Sequence, residues 1–344
     1  MVEVSEKLKN QIREELKYSY AKDMKWIMDS KLQAKERILK DGLPDKNIEE
    51  WKFSENLGLF RKDWVLSKNK TTKVNQYFEN FTNQDLIFQN GNILKEISNN
   101  LIKQGITFKF LSEIVSEESD FLKDNIFLPN KFPEKRISKI EDTRSQTLTN
   151  LNTLLTKDNG IITFDKSCKL DRPLKILFDF EESKESLLFN TRSTIIVEEN
   201  VNAEVIQNFT GGNENTWSNF VTDVYLKEGA KLLLTRIHDN HSKSFNTSHL
   251  YADLKKNSKM SVVSIASSNK FFREEFRVNL SENSSECSLD GVLLTDNQNF
   301  GEVFSKVVHK QINTKSCQRW RTVASDKSQT AVQGRIRVEP LADG

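Results

Sequence analysis

Four times between residues 197 and 283 the chain repeats one phrase: an apolar residue, two polar residues, then Asn or Gly, after which a new apolar run begins. The phrases are Val197-Glu-Glu-Asn200, Leu226-Lys-Glu-Gly229, Leu254-Lys-Lys-Asn257 and Leu280-Ser-Glu-Asn283, so the turn residues stand 29, 28 and 26 apart. Asn and Gly accept the left-handed backbone of a tight turn at low steric cost. A near-constant advance of fewer than thirty residues, holding two or more strands, is the period of one coil of a β-solenoid. Successive coils would stack about 4.8 Å apart, with Ile, Leu, Val and Phe filling the interior. The alternative is an antiparallel sandwich with evenly spaced hairpins, in which the same turns would lie apart on two facing sheets.

The surrounding runs fit that frame. Ile161-Ile-Thr-Phe, Leu174-Lys-Ile-Leu-Phe, Ser193-Thr-Ile-Ile-Val, Ala203-Glu-Val-Ile and Phe220 to Leu226 read as strands, as do Lys231-Leu-Leu-Leu, Ser261 to Ile265, Phe276 to Leu280 and Gly291 to Thr295. No segment with helical periodicity separates them, which argues against alternating βαβ units. Before residue 156 the character differs. Leu8, Ile12, Leu16 and Tyr20 recur four apart, followed by Trp26, Ile27, Leu32 and Ile38, and predict one or two helices over 4–40. Gly42 and Pro44 stop that segment, because Gly takes the left-handed cap and Pro lacks an amide donor. Leu148 to Leu155 predicts a last short helix. The expected organisation is a helical or mixed N-terminal domain over 1–155 and a β-helix domain over 156–344.

With 51 basic and 49 acidic residues the net charge is +2, and no global field draws the chain to nucleic acid or anionic lipid. No apolar run approaches the length of a membrane span. Cys168, Cys287 and Cys317 are scattered and odd in number, which speaks against a disulfide framework and for a reducing, cytoplasmic compartment.

Several segments resemble the SufB/SufD family of iron–sulfur cluster assembly proteins, the SufD branch more than the SufB branch. They are Gly42-Leu-Pro-Asp-Lys-Asn-Ile-Glu49-Glu50-Trp51-Lys52-Phe53-Ser54, Phe88-Gln-Asn-Gly91, Asn152 to Gly160 followed by Arg172-Pro173-Leu, His309 to Arg321, and Ser325-Asp-Lys followed by Gly334-Arg-Ile. The resemblance implies a mainly β fold, a right-handed parallel β-helix behind a smaller α-helical or mixed domain. It also implies a non-catalytic scaffold that pairs with SufB-like and SufC-like proteins, the ATPase activity belonging to the latter. No cofactor is expected on this chain alone, and an iron–sulfur cluster only transiently with a partner. Through the family's motifs it singles out Glu50, Trp51, His309, Ser316, Gln318 and Arg321 as motif or partner-contact residues. Thr314 stands where the family carries a cysteine in the His309 segment, so no thiolate role passes to Cys317. The family's further β-coils, C-terminal helical domain and Cys-x-His-Gly motif are not in these 344 residues, and a solenoid ending between coils is expected to depend on a partner.

Read without the family, the candidates are weaker. A cluster held by one chain needs converging thiolates, usually in Cys-x2-Cys-type runs, and the three cysteines sit at unrelated offsets, as buried small apolar residues would. His238, His241 and His249 fall within twelve residues, but Asn, Ser and Lys around them read as a solvated loop with surface histidines. His309 ends an apolar run, either as a core histidine bonded to backbone or as a strand residue facing a partner. Trp51 reads as an anchor that packs the N-terminal domain onto the later part of the chain. Glu199, Glu228, Lys256 and Glu282 form a turn column whose lysine breaks the acidic stack a β-helix carbohydrate-active enzyme would use. A β-solenoid interaction module outside cluster assembly is the other alternative. There is no phosphate-binding Gly-rich loop, nucleophile elbow or His-Glu-x2-His.

Overall fold

A computed structural model describes residues 5–15, 25–54, 58–67, 83–95, 97–114, 143–267 and 269–342. Helix α1 (Glu6–Glu15) buries Leu8 and Ile12, one turn apart. Helix α2 (Lys25–Asp41) buries Ile27, Lys31, Ala34 and Ile38 on one stripe. Leu32, expected on that stripe, is exposed; Lys31 lies there instead, its Nζ donating to the Thr156 carbonyl at 2.8 Å. An extended apolar stem with a satisfied ammonium can occupy an interior position that pattern alone assigns to leucine. Leu16 and Tyr20 lie outside the described residues. Gly42, at φ 70°, ends α2, its amide donating to the Ile38 carbonyl at 3.0 Å.

Short strands follow: β1 (Val65–Leu66), β2 (Leu86–Gln89), β3 (Asn92–Lys95) and β4 (Ile106–Phe110), with helices α3 (Asn99–Lys103), α4 (Leu111–Ile114) and α5 (Thr147–Leu155). Then come β5 (Gly160–Phe164), β6 (Leu174–Phe180), β7 (Leu187–Val197), β8 (Asn202–Gly211), β9 (Thr216–Leu226), β10 (Lys231–Asn240), β11 (Phe245–Leu254), β12 (Lys259–Ser267), β13 (Phe271–Leu280), β14 (Glu286–Thr295), β15 (Phe300–His309), β16 (Lys315–Ala324) and β17 (Gln329–Val338). Odd and even strands from β5 onward go to different sheets, ordered β17-β15-β13-β11-β9-β7-β5-β4 and β16-β14-β12-β10-β8-β6-β2-β3, with β4 closing the first and β2 and β3 the second. From β5 onward every pairing within these sheets is parallel between strands one coil apart. This is a two-sheet β-solenoid, not a sandwich. The N-terminal region adds to its start, since β2 pairs parallel with β6 and β4 antiparallel with β5.

The repeated phrases mark one corner of each coil. Val197, Leu226, Leu254 and Leu280 occupy one register column, which continues to His309. Asn200, Gly229 and Asn257 have φ of 61°, 69° and 56°. The fourth corner differs from expectation: Ser284, not Asn283, is left-handed, at φ 59°. The corner amides show why. Asn200 N–H donates to the Glu228 carbonyl (2.9 Å), Gly229 to Lys256 (2.9 Å), Asn257 to Asn283 (3.1 Å) and Ser284 to Ile312 (3.3 Å). Each corner thus bonds to the residue just before the next one, and this stacking fixes the frame that puts Ser284 in place.

The interior is largely apolar, and it stacks. Phe88, Phe178, Phe209 and His238 form a ladder of near-parallel rings 4.4 to 5.1 Å apart. The two outer faces differ. That of the odd sheet carries a second column, Leu188, Trp217, Phe245, Phe271 and Phe300, which Trp51, Phe60 and Trp64 cover. That of the even sheet is open and shows Leu233, Ile265 and Leu294.

Candidate functional site

The residues singled out by motif fall in three places. Glu50 and Trp51 form a 3-10 turn (Glu49–Trp51) laid on the outer face of the odd sheet. Arg277 Nη2 donates to Glu50 Oε2 at 2.6 Å, Arg335 Nη1 donates to Oε1 at 3.0 Å, and Arg273 Nη2 donates to the Glu50 carbonyl at 2.8 Å. The Arg273 guanidinium lies 4.0 Å from the Trp51 ring centroid, a cation–π contact away from water. Arg273 also meets Glu275 at 2.7 Å and Glu302, whose carboxylate accepts from Ser54 Oγ. Burial alone would raise the Glu275 pKa, but Arg273, His249 and Arg277 hold it far below the usual carboxylate range. The turn therefore spans β13 to β17, and Trp51 is the anchor its sequence suggested.

His309, Ser316 and Gln318 lie on the inward faces of β15 and β16. Thr314 Oγ1 donates to the Gln311 carbonyl at 2.9 Å, so it can only accept from His309 Nδ1, 2.8 Å away. Nε2 is then the acceptor for the Ser316 hydroxyl at 2.9 Å. One neutral tautomer is fixed, and burial lowers the imidazole pKa further. His309 is half-buried and bonded to side-chain hydroxyls, where the residues alone favoured a core histidine bonded to backbone. Thr314 is what orients the ring. Gln318 Oε1 accepts from Ser305 Oγ at 2.6 Å. Trp320 follows on the same face, its ring over Gly291, where any Cβ would strike the indole and the Ser264 carbonyl. Arg321 points the other way, exposed on the even sheet's outer face, and is not part of either group.

The cysteines do not converge. Cys287 faces the interior and burial pushes its thiol pKa up. Cys317 pairs with Ser288, the neighbour of Cys287, and is exposed on the opposite face; Cys168 is half-buried at the start of the solenoid. Cys168 and Cys317 are thus not the buried residues their sequence setting suggested. Among the described residues no three His, Cys, Asp or Glu side chains gather as a metal site.

Two of the three clustered histidines also correct the sequence reading. His238 and His249 are buried, and only His241 is exposed. His238 completes the interior ring ladder, its Nε2 3.0 Å from Glu274 Oε1, while His249 lies on the odd sheet's outer face 3.5 Å from Glu275. Successive strand residues face opposite ways, so closeness in sequence does not bring these rings together. The interior also holds Arg236, 3.2 Å from Glu274, with Ser248 and Ser264 bonded to the pair. No motif marks these charges; their only signal is a charged residue at the apolar phase of a strand. At the repeating corner Lys256 pairs with Glu228 at 2.9 Å, so a change of sign does neutralise that column.

Fold and site define a β-solenoid protein with a docked helical region and buried charge at the junction. Residues 180–344 match the family model described as SUF system FeS cluster assembly, SufBD core domain, and residues 3–176 match the SufBD protein N-terminal region. The chain belongs to the SufB/SufD family and, through it, to the SUF system of iron–sulfur cluster assembly. No curated protein gives a significant match to it. Among the described residues no helix is long and apolar enough to cross a membrane.

Proposed function

We propose that the protein is a SufD-like scaffold subunit, without catalysis of its own, that works in the cytoplasm with a SufB-like subunit and a SufC-like ATPase. The observation that carries this reading is the solenoid itself: two parallel sheets around a filled core, with one outer face locked under the N-terminal region and the other open. Such a body presents fixed surfaces without a moving lid, as a scaffold requires. The three separated cysteines support a division of labour in which thiolates for the cluster, the cargo of the system, come chiefly from a partner. The paired corner column speaks against a carbohydrate-active cleft, which needs free carboxylates a fixed distance apart.

Co-expression of the tagged chain with the SufB and SufC proteins of the same genome tests the reading. A complex that survives size-exclusion chromatography is expected. Recovery of the tagged chain free of both overturns it.

A further inference from the structure

The two edges of the solenoid handle charge differently. At the edge of the repeating corners, cations alternate with carboxylates and are paired: Lys166 with Glu199 at 2.7 Å, Lys227 with Glu198 at 2.6 Å, Lys256 with Glu228 at 2.9 Å. At the other edge, Lys243 and Lys327 fall at the same place in their coils and Lys270 one residue later, and none of them has an ion-pair partner among the described residues. With coils about 4.8 Å apart, three ammonium groups stand along four successive coils. Like charges set along one edge repel, and the carboxylates near them, Glu214 and Asp326, are fewer than the lysines.

These lysines line a groove of about 810 Å³, which Lys62 of the N-terminal region closes on one side. The stem of Lys62 crosses the Trp64 and Phe245 rings, with Nζ 5.3 and 5.2 Å from their centroids, and its ammonium donates to the Glu214 carbonyl. Partial burial lowers the Lys62 pKa, so an anion at hand would be doubly welcome. The acids in the wall are Glu214 and Asp326, and Asp326 is turned toward the corner of the preceding coil, accepting from the Asn297 backbone amide at 3.2 Å. Four cations therefore face two carboxylates, one already engaged.

We propose that this groove binds a small anion carrying several negative charges, of the oligophosphate class. The volume lies in the range of small-ligand sites, about 300–1,000 Å³. The wall holds lysines and no arginine; ammonium groups act as point charges that suit the many oxygens of a phosphate chain, where a planar carboxylate would favour the guanidinium fork. The amide side chains of Asn297, Gln298 and Asn299 add polar lining between the lysines. The site is separate from the Glu50 and His309 groups and does not depend on the scaffold role.

The test is calorimetric titration of the tagged chain, with whatever partners it retains, using inorganic tripolyphosphate at low ionic strength. One saturable site is expected, weakened about tenfold or more in Lys243→Ser/Lys270→Ser/Lys327→Ser, since three charged contacts are lost. A control, Lys157→Ser/Lys231→Ser/Lys315→Ser, removes the same charge from exposed positions elsewhere and should bind as the parent does. The groove variant should melt at or slightly above the parent's midpoint, since it relieves repulsion among the lysines, and the control at the parent's midpoint, since its three lysines are exposed. No saturable binding overturns the proposal, and so does equal weakening in the control. Binding of hexaglutamate with tripolyphosphate inert also overturns it, by assigning the groove to an acidic protein segment. Partner retention is read separately in the same preparations, so loss of the complex and loss of the anion site are told apart.

Discussion

The Arg192–Asp223 pair lies wholly inside the protein, bidentate at 2.8 and 3.0 Å, under α5, where Thr153 also accepts from Arg192. Removing one member strands the other, which costs about 3–5 kcal/mol, whereas replacing both by apolar groups of similar size is often neutral. Asp223→Ala should therefore lower urea stability by about that amount, and Arg192→Met/Asp223→Leu should recover most of it; a double variant no better than the single would contradict this. Acid should act at two further residues. Burial depresses the His238 pKa, so the unfolded chain takes up the proton and the folded one does not; that stability is present above the unfolded value near about 6.5 and fades as pH falls below it. Glu275, depressed by its arginines, contributes stability above the unfolded value of about 4.5 and loses it as pH falls toward the folded one. Denaturation midpoints measured from pH 8 downward should fall in two stages, and a flat profile between them and neutrality would remove His238 from the account. None of these buried charges was legible in the sequence. Arg273, Glu275 and Arg277 look like the polar face of a half-exposed strand, and the residues that bury them, Glu50 to Ser54, lie more than 200 positions earlier.

Elements were more legible, because the corner chemistry is local. An apolar residue followed three places later by Asn or Gly marks the left-handed residue at three of the four corners, Asn200, Gly229 and Asn257. Ser284 escaped notice because serine seldom signals that backbone; here the stacked corner bonds impose it. The opposite edge, with Gly211, Gly212, Asn297 and Asp326 left-handed, repeats without a constant phrase and gives no pattern to read. The corners also differ in what they tolerate. A Cβ at Gly229 would overlap the Asn200 side chain, and the left-handed backbone itself costs a non-Gly residue about 1–2 kcal/mol. Gly229→Ala should therefore lose at least about 1–2 kcal/mol in urea at unchanged m-value. Asn257→Gly, with the same backbone already allowed, should change the midpoint by a few tenths of that. A loss at Gly229→Ala no larger than that at Asn257→Gly would contradict both the backbone strain and the overlap with Asn200.

Across the whole molecule the helical region and the solenoid share one structure. Glu50 touches Arg273 and Arg277 of β13 and Arg335 of β17, while Trp51, Phe60 and Trp64 close over the aromatic column of the odd sheet. Three of the five tryptophans, Trp51, Trp64 and Trp217, are buried at this junction, so their fluorescence reports its integrity. Far-ultraviolet circular dichroism reports chiefly the sheets. If the junction couples the two parts, both signals should follow one unfolding curve in the parent protein. Glu50→Ala takes one carboxylate from Arg277 and Arg335 and leaves them Glu275 and Glu49, a loss of about 1.5–3 kcal/mol. The loss falls wholly at the junction and leaves the solenoid interior untouched, so the junction should open first. The fluorescence midpoint should then fall below the dichroism midpoint, while the interior ladder from Phe88 to His238, on the far side of the sheet, keeps the solenoid intact. Curves that stay superimposed in the variant would place the coupling in the aromatic column alone, and Phe60→Ala would then be the substitution that separates them.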